Sequence, residues 1–352
     1  MAKQWRCGVV GMGAIGEWHM RVLRTLPNAD FVACCDVMTD RARAVMEKHQ
    51  VPPVPIYADL KQMLAGEKLD VVHVATPSGN HLDPCIQAME SGVNVICEKP
   101  LEITLERIDR MIETAQKHKV RIGGIFQNRW NAANRALYDA AQQGRYGRVS
   151  WAGCFTPWYR TDEYYRGGGW RGTWKLDGGG AMMNQSVHAV DLLQWIAGPV
   201  KTVSAMAGSR IHAEIEVEDT CVCSLQFQSG AYGSMVGTTG MYPGGNVRIE
   251  IGGENGTAVS EDGLKTYTFR DTRPEDQKLM EQINKGKVES GGGTSQFLAT
   301  IDNHVANVGA ILGAWEQNRE AETNGAEARK AVAIILAAYA SAKKGGEPVA
   351  VG

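Results

Sequence analysis

The stretch Cys7-Gly8-Val9-Val10-Gly11-Met12-Gly13-Ala14-Ile15-Gly16 decides the fold of the first third of the chain. An apolar run leads directly into three glycines with the spacing G-x-G-x-x-G, and a helical pattern follows them. The absence of side chains lets the backbone approach a pyrophosphate, and the N-terminus of the helix supplies free N–H groups. The stretch therefore predicts a strand, a phosphate-binding turn and a helix, with a glycine turn that binds nothing as the alternative.

Short apolar runs alternate with helical patterns up to about residue 125. The predicted strands cover residues 5–11, 31–36, 71–76, 93–98 and 121–126, and the predicted helices cover 14–26, 39–49, 59–64, 79–91 and 104–118. Such alternation is typical of a parallel sheet with helices on both faces. We therefore predict a doubly wound α/β Rossmann domain over residues 1–125 that binds a dinucleotide.

A different pattern follows a predicted helix at 132–143. Strands are predicted at 149–157, 200–212, 219–228, 231–239, 247–252, 257–260 and 348–350, helices at 182–196, 296–318 and 325–344, and a polar, glycine-rich loop at 286–294. Ser229-Gly230 between two strands predicts a hairpin. These elements predict an α+β domain over 126–352, in which helices cover one face of an open antiparallel sheet. We expect this domain to bind substrate and to form oligomers, with the helix near 325–344 able to pack back near the first domain.

The composition of the 352 residues excludes several classes of protein. The formal net charge is −2 and the basic residues are scattered, which disfavours nucleic acid and acidic membrane surfaces as partners. No apolar run reaches the length of a membrane span and no secretory signal opens the chain, so we expect a cytoplasmic protein. The eight cysteines lie mostly in apolar runs without the spacing of metal ligands, so we expect no metal.

The cofactor is expected to be NAD. Asp36, twenty residues beyond Gly16, lies at the predicted end of the second strand, where its carboxylate would accept hydrogen bonds from a ribose and repel a 2′-phosphate. Arg41 and Arg43 leave NADP open, because either could bind a phosphate, although both also suit a solvated helix face. The predicted cofactor-binding residues are Gly11, Gly13, Ala14, Ile15, Gly16, Asp36, Thr76, Pro77, His81, Glu98 and Lys99. His19 and His81 receive no chemical role, since each also suits packing or a helix end.

Lys99 is the first candidate for chemistry. The tripeptide Glu98-Lys99-Pro100 falls at the carboxyl end of a predicted strand, the edge where parallel sheets bind ligands. Pro100 imposes an extended backbone on Lys99 and ends the strand. Burial and the positive ring of oxidised nicotinamide would both disfavour the charged form of the lysine. We therefore predict that Lys99 accepts a proton or stabilises an alkoxide.

His188 is the second candidate. The run Gly178-Gly179-Gly180 precedes a helical pattern at 182–196, in which Asn184, His188 and Asp191 are spaced four and three apart. On one helix these three side chains would form a polar stripe along one side. The glycines would let that helix approach a substrate without a clash. A structural histidine is the alternative reading.

Aromatic and basic residues crowd the segment 158–174. Flat aromatic faces suit the C–H faces of a sugar ring, and arginine and tyrosine suit its hydroxyls. An oligomer interface is the alternative for part of this segment. The predicted substrate-binding residues are Lys99, Gln127, Arg129, Trp158, Tyr164, Arg171, Trp174, Asn184 and His188. Asn128 follows the same strand as Gln127, and His304 is read equally well as a core or capping residue.

The glycine loop, Glu98-Lys99-Pro100, Trp170-Arg171-Gly172-Thr173-Trp174 and the block from Gly178 to Asp191 together resemble the Gfo/Idh/MocA family of oxidoreductases over nearly the whole chain. The resemblance implies a sugar or cyclitol dehydrogenase that forms dimers or tetramers, with Lys99, residue 184 and His188 around the reacting carbinol. Many members carry Asp where this chain has Asn184 and Gly where it has Ser186. The Asn-Gln-Ser variant is similar to that of a sugar-dehydrogenase subset.

The change at residue 184 has an electrostatic consequence. An aspartate about 4 Å from an imidazolium would favour the charged form by up to roughly 4 kcal/mol at an effective dielectric constant near 20, whereas a neutral amide offers only a hydrogen bond. It therefore stays open whether Lys99 or His188 takes the proton. We predict that His188 is the general base, Lys99 stabilises the alkoxide and relays the proton, and Asn184 anchors a substrate hydroxyl.

These residues predict an NAD-dependent enzyme that moves a hydride between nicotinamide C4 and a ring carbinol of a pyranose sugar, glycoside or cyclitol. Two alternatives stand beside it. One is a glycoside hydrolase that oxidises a ring hydroxyl, eliminates the aglycone and returns the hydride. The other is a sugar- or nucleotide-sensing regulator without turnover. Such a protein would be expected to carry other residues at positions 99 and 188. The sequence leaves open the sugar, the carbon oxidised and the direction.

Overall fold

The computed structural model describes residues 3–285 and 301–352. The elements of its first part are β1 (Trp5–Val10), α1 (Ala14–Thr25), β2 (Ala29–Cys35), α2 (Thr39–Lys48), β3 (Ile56–Tyr57), α3 (Leu60–Gly66), β4 (Val71–Val74), α4 (Leu82–Glu90), β5 (Asn94–Cys97), α5 (Leu105–His118) and β6 (Ile122–Gly124). The predicted helices and strands of this part are all present, apart from small differences at their ends. The two-residue strand β3 was not predicted, because so short a segment shows no periodicity.

The six strands form one sheet in the order β3-β2-β1-β4-β5-β6. Every neighbouring pair in this sheet is parallel. The order reverses between β1 and β4, which is the point where a doubly wound sheet binds a dinucleotide. The predicted Rossmann fold is therefore confirmed.

The second part follows a 3₁₀ turn (Gln127–Trp130). Its elements are α6 (Ala132–Gln142), β7 (Val149–Pro157), α7 (Asp162–Arg166), a π-helical turn (Ala181–Gln185), α8 (Val187–Ala197), β8 (Val200–Gly208), β9 (Thr220–Phe227), β10 (Tyr232–Thr238), β11 (Arg248–Gly253), β12 (Gly256–Glu261), β13 (Leu264–Phe269), α9 (Pro274–Asn284), α10 (Ile301–Glu316), α11 (Gly325–Lys343) and β14 (Val349–Ala350). The predicted helix from residue 296 begins in the described residues at Ile301, and the predicted loop at 286–294 lies outside them.

The eight later strands form a second sheet in the order β13-β12-β11-β7-β10-β9-β8-β14. All neighbouring pairs are antiparallel except β7 and β10, which run parallel. Helix α8 packs on β7 and β11, and α6 packs on β12. Side chains alternate along β9, where Cys221 and Cys223 are buried and Val222 between them is exposed. The predicted open sheet with helices on one face is confirmed, with one parallel pair within it.

Two differences from the predicted elements have local causes. The predicted strand at 200–212 ends at Gly208, because the N–H groups of Arg210, Ile211 and His212 turn to donate to the Asp219 carboxylate. Strand β13 and helix α9 were not predicted. Most of their residues are polar, and Asp276 is the only buried residue of α9 in the part of the chain that the structure describes.

The described residues divide into two compact units. The first contains the residues up to Gln127 and those from 301 to Arg329, and the second contains the rest. This division differs from the sequence-based one at residue 125, which assigned α10 to the second domain. Helix α10 joins the first unit through apolar contacts, since Val308, Ile311, Leu312 and Trp315 complete the core that contains Trp5 and Met20.

Two further features bear on the class of protein. Among residues 3–285 and 301–352, no helix combines the length and apolar character needed to cross a membrane. No group of His, Cys, Asp or Glu side chains in these ranges is arranged to hold a metal ion. All eight cysteines are buried, as the apolar context of their sequence predicted.

A buried ion pair links two elements of the second unit. Arg129, in the 3₁₀ turn, donates from Nε to Asp191 of α8 at 2.8 Å and from a terminal nitrogen at 2.5 Å, and both side chains are about 1% exposed. The Arg129 guanidinium also lies over the Trp195 ring. Arg129 and Asp191 are therefore partners of each other inside the second unit, and the assignment of Arg129 to substrate binding stays a prediction.

We expect Arg129→Met to lower the free energy of unfolding by about 3–5 kcal/mol, because Asp191 would stay buried without the guanidinium that compensates its charge. Arg148→Met is the control, since Arg148 forms an exposed pair with Glu254 and its loss should cost less than about 1 kcal/mol. Urea unfolding followed by circular dichroism measures both. Equal losses in the two variants would contradict this assignment.

Candidate active site

In the first unit, the glycine loop between β1 and α1 has no room for a side chain at Gly16 but has open space beside Gly13. A side chain at Gly16 would overlap the carbonyl oxygen of Gly11, which itself has a φ of +87°. At Gly13, the N-cap of α1, an added Cβ would meet nothing within 4 Å, and no side chain caps the helix. The free N–H groups of this turn and the open space beside Gly13 fit the pyrophosphate of a dinucleotide.

Asp36 lies directly after β2, as predicted, but its carboxylate already has partners. It accepts hydrogen bonds from the N–H groups of Met12 at 2.6 Å and Met38 at 2.7 Å, and it pairs with Arg41 at 2.7 Å. The hydrogen bond from the Met12 N–H fixes the backbone of the glycine loop. The Arg41 side chain is 44% exposed, so a ribose bound to Asp36 could share the carboxylate with Arg41 or displace it. Arg43, the other arginine considered, pairs with Asp40.

Thr76 and Pro77 follow β4 at the carboxyl edge of the sheet, as predicted. His81 is 1% exposed, and its ring nitrogens face the backbone carbonyls of Thr76 at 2.9 Å and Pro100 at 3.0 Å. Burial lowers the pKa of His81, which favours the neutral ring. His81 therefore links two loops through hydrogen bonds, as a packing role predicts, and its inclusion among the cofactor contacts stays a prediction.

Glu98, at the end of β5, is the centre of a buried polar cluster. One carboxylate oxygen lies 3.0 Å from His19 Nε2 of α1 and 3.8 Å from His304 Nε2 of α10. The other accepts the backbone N–H of Lys99 at 3.1 Å. Although burial alone would raise it, the contacts with His19 and His304 bring the pKa of Glu98 well below its usual range. Glu98 is thus an ionised internal anchor, and its assignment as a cofactor contact stays a prediction.

A fourth residue extends this cluster. His19 Nδ1 lies 2.9 Å from His73 Nδ1 of β4, so one of the two nitrogens must carry the proton and the other must accept it. Burial lowers the pKa of His73 well below its usual value, so His73 is neutral. Two histidines therefore contact the carboxylate next to Lys99, and a third, His73, contacts one of those two. Lys99 itself is half-buried.

In the second unit, the predicted helix at 182–196 is broken. Residues Ala181–Gln185 form a π-helical turn, Ser186 bends, and α8 begins at Val187. Asn184, His188 and Asp191 therefore do not form one continuous stripe. His188 is half-buried in the first turn of α8, whereas Asn184 is 9% exposed in the π-helical turn.

Asn184 contacts a carboxylate that the sequence analysis had not assigned. Its Nδ2 donates to Asp177, which is 1% exposed, and its Oδ1 accepts from Gln185 at 3.0 Å. The second Asp177 oxygen accepts the N–H of Gly172 at 2.9 Å. The amide of Asn184 is thus held at both ends. A negative charge lies next to residue 184 even though that residue is neutral.

The glycine run is packed against protein. A side chain at Gly179 would overlap the Tyr339 hydroxyl, and one at Gly180 would overlap the backbone of Glu218. Glu218 accepts the N–H groups of Gly180 at 3.0 Å and Met182 at 2.7 Å and the Tyr339 hydroxyl at 2.8 Å. Burial raises the pKa of Glu218. The glycines therefore allow a close approach to β9 and α11, which replaces the reading that they make room for a substrate.

In the aromatic segment of the second unit, Arg160 and Tyr164 both form hydrogen bonds with Gln185. Gln185 accepts from Arg160 Nε at 3.0 Å and donates to the Tyr164 hydroxyl at 2.8 Å. Trp158 lies beneath the Arg160 guanidinium. Of the other predicted substrate-binding residues, Trp174 is 41% exposed with its ring edge-on to Tyr339, and Gln127 is half-buried in the first unit.

The residues around the two motifs to which sequence reasoning assigned no role are all polar and buried. They are His19, His73 and His304 around Glu98, and Asp177, Gln185 and Glu218 around the π-helical turn. Asp177 and Gln185 lie within the motif that the sequence analysis quoted, so their position was a usable signal.

Comparison with known proteins agrees with both units. A family model described as an oxidoreductase family with an NAD-binding Rossmann fold (GFO/IDH/MocA) matches residues 5–125, and a GFO/IDH/MocA C-terminal domain model matches residues 134–259.

Three relatives illustrate the range of similar proteins. The solved structure of the WlbA dehydrogenase from Bordetella pertussis in complex with NADH and UDP-GlcNAcA is 31% identical, with a TM-score of 0.91 over 99% of this chain and 98% of that chain. Myo-inositol 2-dehydrogenase of Thermotoga maritima is 29% identical over 74% of this chain and 76% of its own. 1,5-Anhydro-D-fructose reductase of Ensifer adhaerens is 26% identical over 79% and 84%, respectively.

The open space at Gly13 gives a test of the cofactor site. We expect Gly13→Ala to fold normally, because the new methyl group meets no atom of the protein, but to weaken NADH binding about tenfold or more, because it occupies the approach to the pyrophosphate. NADH fluorescence titration and thermal unfolding measure the two effects. Gly208→Ala, which also adds a methyl group in open space, should change neither. NADH affinity that is unchanged in Gly13→Ala would contradict the assignment.

Proposed function

The chain belongs to the GFO/IDH/MocA family of NAD-binding oxidoreductases, and we propose that it moves a hydride between NAD and a ring carbinol of a sugar or cyclitol, with Lys99 and His188 handling the proton. The observation that carries the proposal is Lys99, set at the carboxyl end of β5 by the buried Glu98 in a sheet of NAD-binding order. The names of the relatives, which include an inositol dehydrogenase and a dehydrogenase with a bound nucleotide sugar, support a polyhydroxylated ring as substrate.

Each residue has a distinct task in this proposal. NAD held by the glycine loop from Gly11 to Gly16 and by Asp36 would supply the hydride acceptor for the oxidative direction and the hydride donor for the reductive one. His188 takes the proton of the hydroxyl that becomes a carbonyl. The Lys99 ammonium donates a hydrogen bond to the same oxygen while it carries negative charge. Asn184, fixed by Asp177 and Gln185, orients a neighbouring hydroxyl.

We expect Lys99→Met and His188→Gln each to lower kcat by about 10²- to 10⁴-fold, because each removes a group that stabilises the transition state or accepts its proton. The dissociation constant for NADH should stay within about threefold in His188→Gln, and in Lys99→Met it should change far less than kcat does, since Lys99 is also a predicted cofactor contact but the glycine loop is intact in both variants. A plate of free sugars, nucleotide sugars and inositols with NAD, read by NADH absorbance, identifies the substrate for these measurements.

The matched controls are Lys61→Met and His118→Gln, which remove a surface lysine of α3 and a histidine at the end of α5. Full turnover in Lys99→Met or His188→Gln would remove these roles. A chromogenic glycoside on the same plate separates the hydrolase alternative, because only a hydrolase releases aglycone without accumulating NADH.

We also propose that the chain forms a homodimer or homotetramer through the uncovered face of its second sheet. Two cross-strand apolar pairs lie on that face, Tyr232 opposite Trp151 and Val222 opposite Met206. Their exposed fractions are 65%, 37%, 43% and 73%, respectively. Large apolar side chains exposed on one face of a sheet are typical of a protein interface.

The double variant Val222→Glu/Tyr232→Glu should therefore run as a smaller species in size-exclusion chromatography with light scattering, because like charges would face each other across a symmetric interface. Tyr242→Glu is the control, since Tyr242 is 79% exposed outside the strands of the sheet. A wild-type monomer, or a double variant of unchanged mass, would contradict this mode of assembly.

A further inference from the structure

We propose that His19 is a positioning residue for Lys99, and that it acts through Glu98 by donating the hydrogen bond that orients the Glu98 carboxylate. The task of Lys99 on a substrate rests on the proposed function. The contacts that join His19 to Lys99 lie within the first unit and do not depend on it.

Three side chains and one backbone group form a linear chain of hydrogen bonds. His73 Nδ1 lies 2.9 Å from His19 Nδ1, and His19 Nε2 lies 3.0 Å from one oxygen of Glu98. The other oxygen of Glu98 accepts the backbone N–H of Lys99 at 3.1 Å. The chain therefore runs from β4 through α1 to the end of β5, and it ends on the residue proposed to act on the substrate.

The members of this hydrogen-bond chain are shielded from water. His19 and His73 are fully buried, and Glu98 is 6% exposed. Water cannot replace a lost partner in such surroundings, so each bond constrains the next one. The Glu98 carboxylate therefore keeps its orientation only while protein groups donate to it.

His304 also faces Glu98, but at a longer distance. Its Nε2 lies 3.8 Å from the same carboxylate oxygen, which exceeds the usual length of a hydrogen bond. Its ring lies edge-on to Trp18, with the ring centroids 5.8 Å apart. His19 thus makes the shorter contact, and it is the histidine that can direct the carboxylate.

Glu98 fixes the protons of this chain. Although burial would raise it, contacts with His19 and His304 keep the pKa of Glu98 well below its usual range, so the carboxylate only accepts hydrogen bonds and His19 Nε2 carries a proton. Burial lowers the pKa of His73, and its neutral ring can donate from Nδ1 to His19 Nδ1. The opposite arrangement would put a charge on the fully buried His19 and leave an N–H of His73 without an acceptor.

The chain is a support for Lys99 rather than a route for protons. It ends at His73, whose Nε2 is buried and has no hydrogen-bond partner among residues 3–285 and 301–352. A proton taken from a substrate would find no acceptor beyond that ring. The chain also meets Lys99 at its backbone N–H and not at its ammonium group. Its task is therefore to hold the backbone that carries Lys99, because a misplacement of about 1 Å can cost about 100-fold in rate.

The test replaces one end of the His19 ring at a time. The amide nitrogen of His19→Gln reaches the place of Nε2 and can still donate to Glu98, whereas the shorter side chain of His19→Asn reaches only the place of Nδ1, beside His73. We expect His19→Asn to lower kcat by about 10- to 100-fold and His19→Gln by no more than about threefold, measured with the sugar that the plate identifies. KM and the dissociation constant for NADH should change less than about threefold in both variants.

A second measurement follows Lys99 without a substrate. In protein with isotope-labelled lysine, NMR gives the hydrogen-exchange rate of the Lys99 amide, whose signal is assigned by its loss in Lys99→Met. We expect exchange about tenfold or more faster in His19→Asn than in the wild type, and near the wild-type rate in His19→Gln. If no sugar on the plate is oxidised, the proposed function fails, and this amide still decides whether His19 anchors Lys99.

His49→Asn and His49→Gln are the matched controls, because His49 Nε2 contacts Glu17 of α1 at 2.7 Å but takes no part in the chain to Lys99. Both controls should keep kcat and the exchange rate of the Lys99 amide.

Equal losses in His19→Asn and His19→Gln, a larger loss in His19→Gln, or wild-type behaviour of His19→Asn would each overturn the proposal. Should His19→Asn not fold, Glu98→Asp tests the next bond of the chain. Its shorter side chain cannot reach both His19 and the Lys99 N–H, so unchanged kcat and unchanged exchange of the Lys99 amide would also overturn it.

Discussion

The carboxylate of Glu98 is the point on which the first unit depends. It contacts His19 of α1, His304 of α10 and the backbone of Lys99 at the end of β5. Because α1 begins at the glycine loop, one buried charge connects the element proposed to receive the pyrophosphate with the residue proposed to handle the proton. An ionised carboxylate is stable in such a place only when several donors satisfy it, and that requirement explains why three histidines collect around one strand end.

The second unit uses buried carboxylates in the same way. Glu218 accepts two N–H groups of the glycine run and π-helical turn, and Asp177 accepts one from Gly172 together with the amide of Asn184. The N–H groups of Gly180 and Met182 lie at the start of the π-helical turn, where a helix offers them no internal acceptor, so the Glu218 carboxylate satisfies them. The irregular backbone before α8 is therefore a specified conformation, and it decides how Asn184 and His188 are presented. The chemistry assigned to both residues thus depends on side chains far from them in sequence.

The fold was predictable to a large extent, because local periodicity and the glycine loop carry most of its information. The parallel order of the first sheet and the hairpin at Ser229-Gly230 followed from them. The break at Ser186 did not, because its apolar pattern suits a continuous helix and the hydrogen bonds that favour a π-helical turn come from residue 218. For the same reason the pair of Arg129 with Asp191 was not predicted, since the two residues are 62 positions apart and no local pattern connects them. Apolar periodicity predicts which face of a helix or strand is buried, but it does not predict which polar side chains contact each other on that face.

The contact between Asn184 and Asp177 places a carboxylate beside the proposed active-site residue 184, although residue 184 itself is neutral. Relatives with an aspartate at the motif position place a negative charge there directly, whereas this chain places a neutral amide at 184 and keeps a carboxylate seven residues earlier, joined to it by a hydrogen bond. A classification of family members by the residue type at position 184 alone would conclude that this protein has no carboxylate there. Family members should therefore be compared by the side chains that surround residue 184 in space. An Asn184→Asp substitution would place a second carboxylate beside Asp177, and one of the two would then have to be protonated.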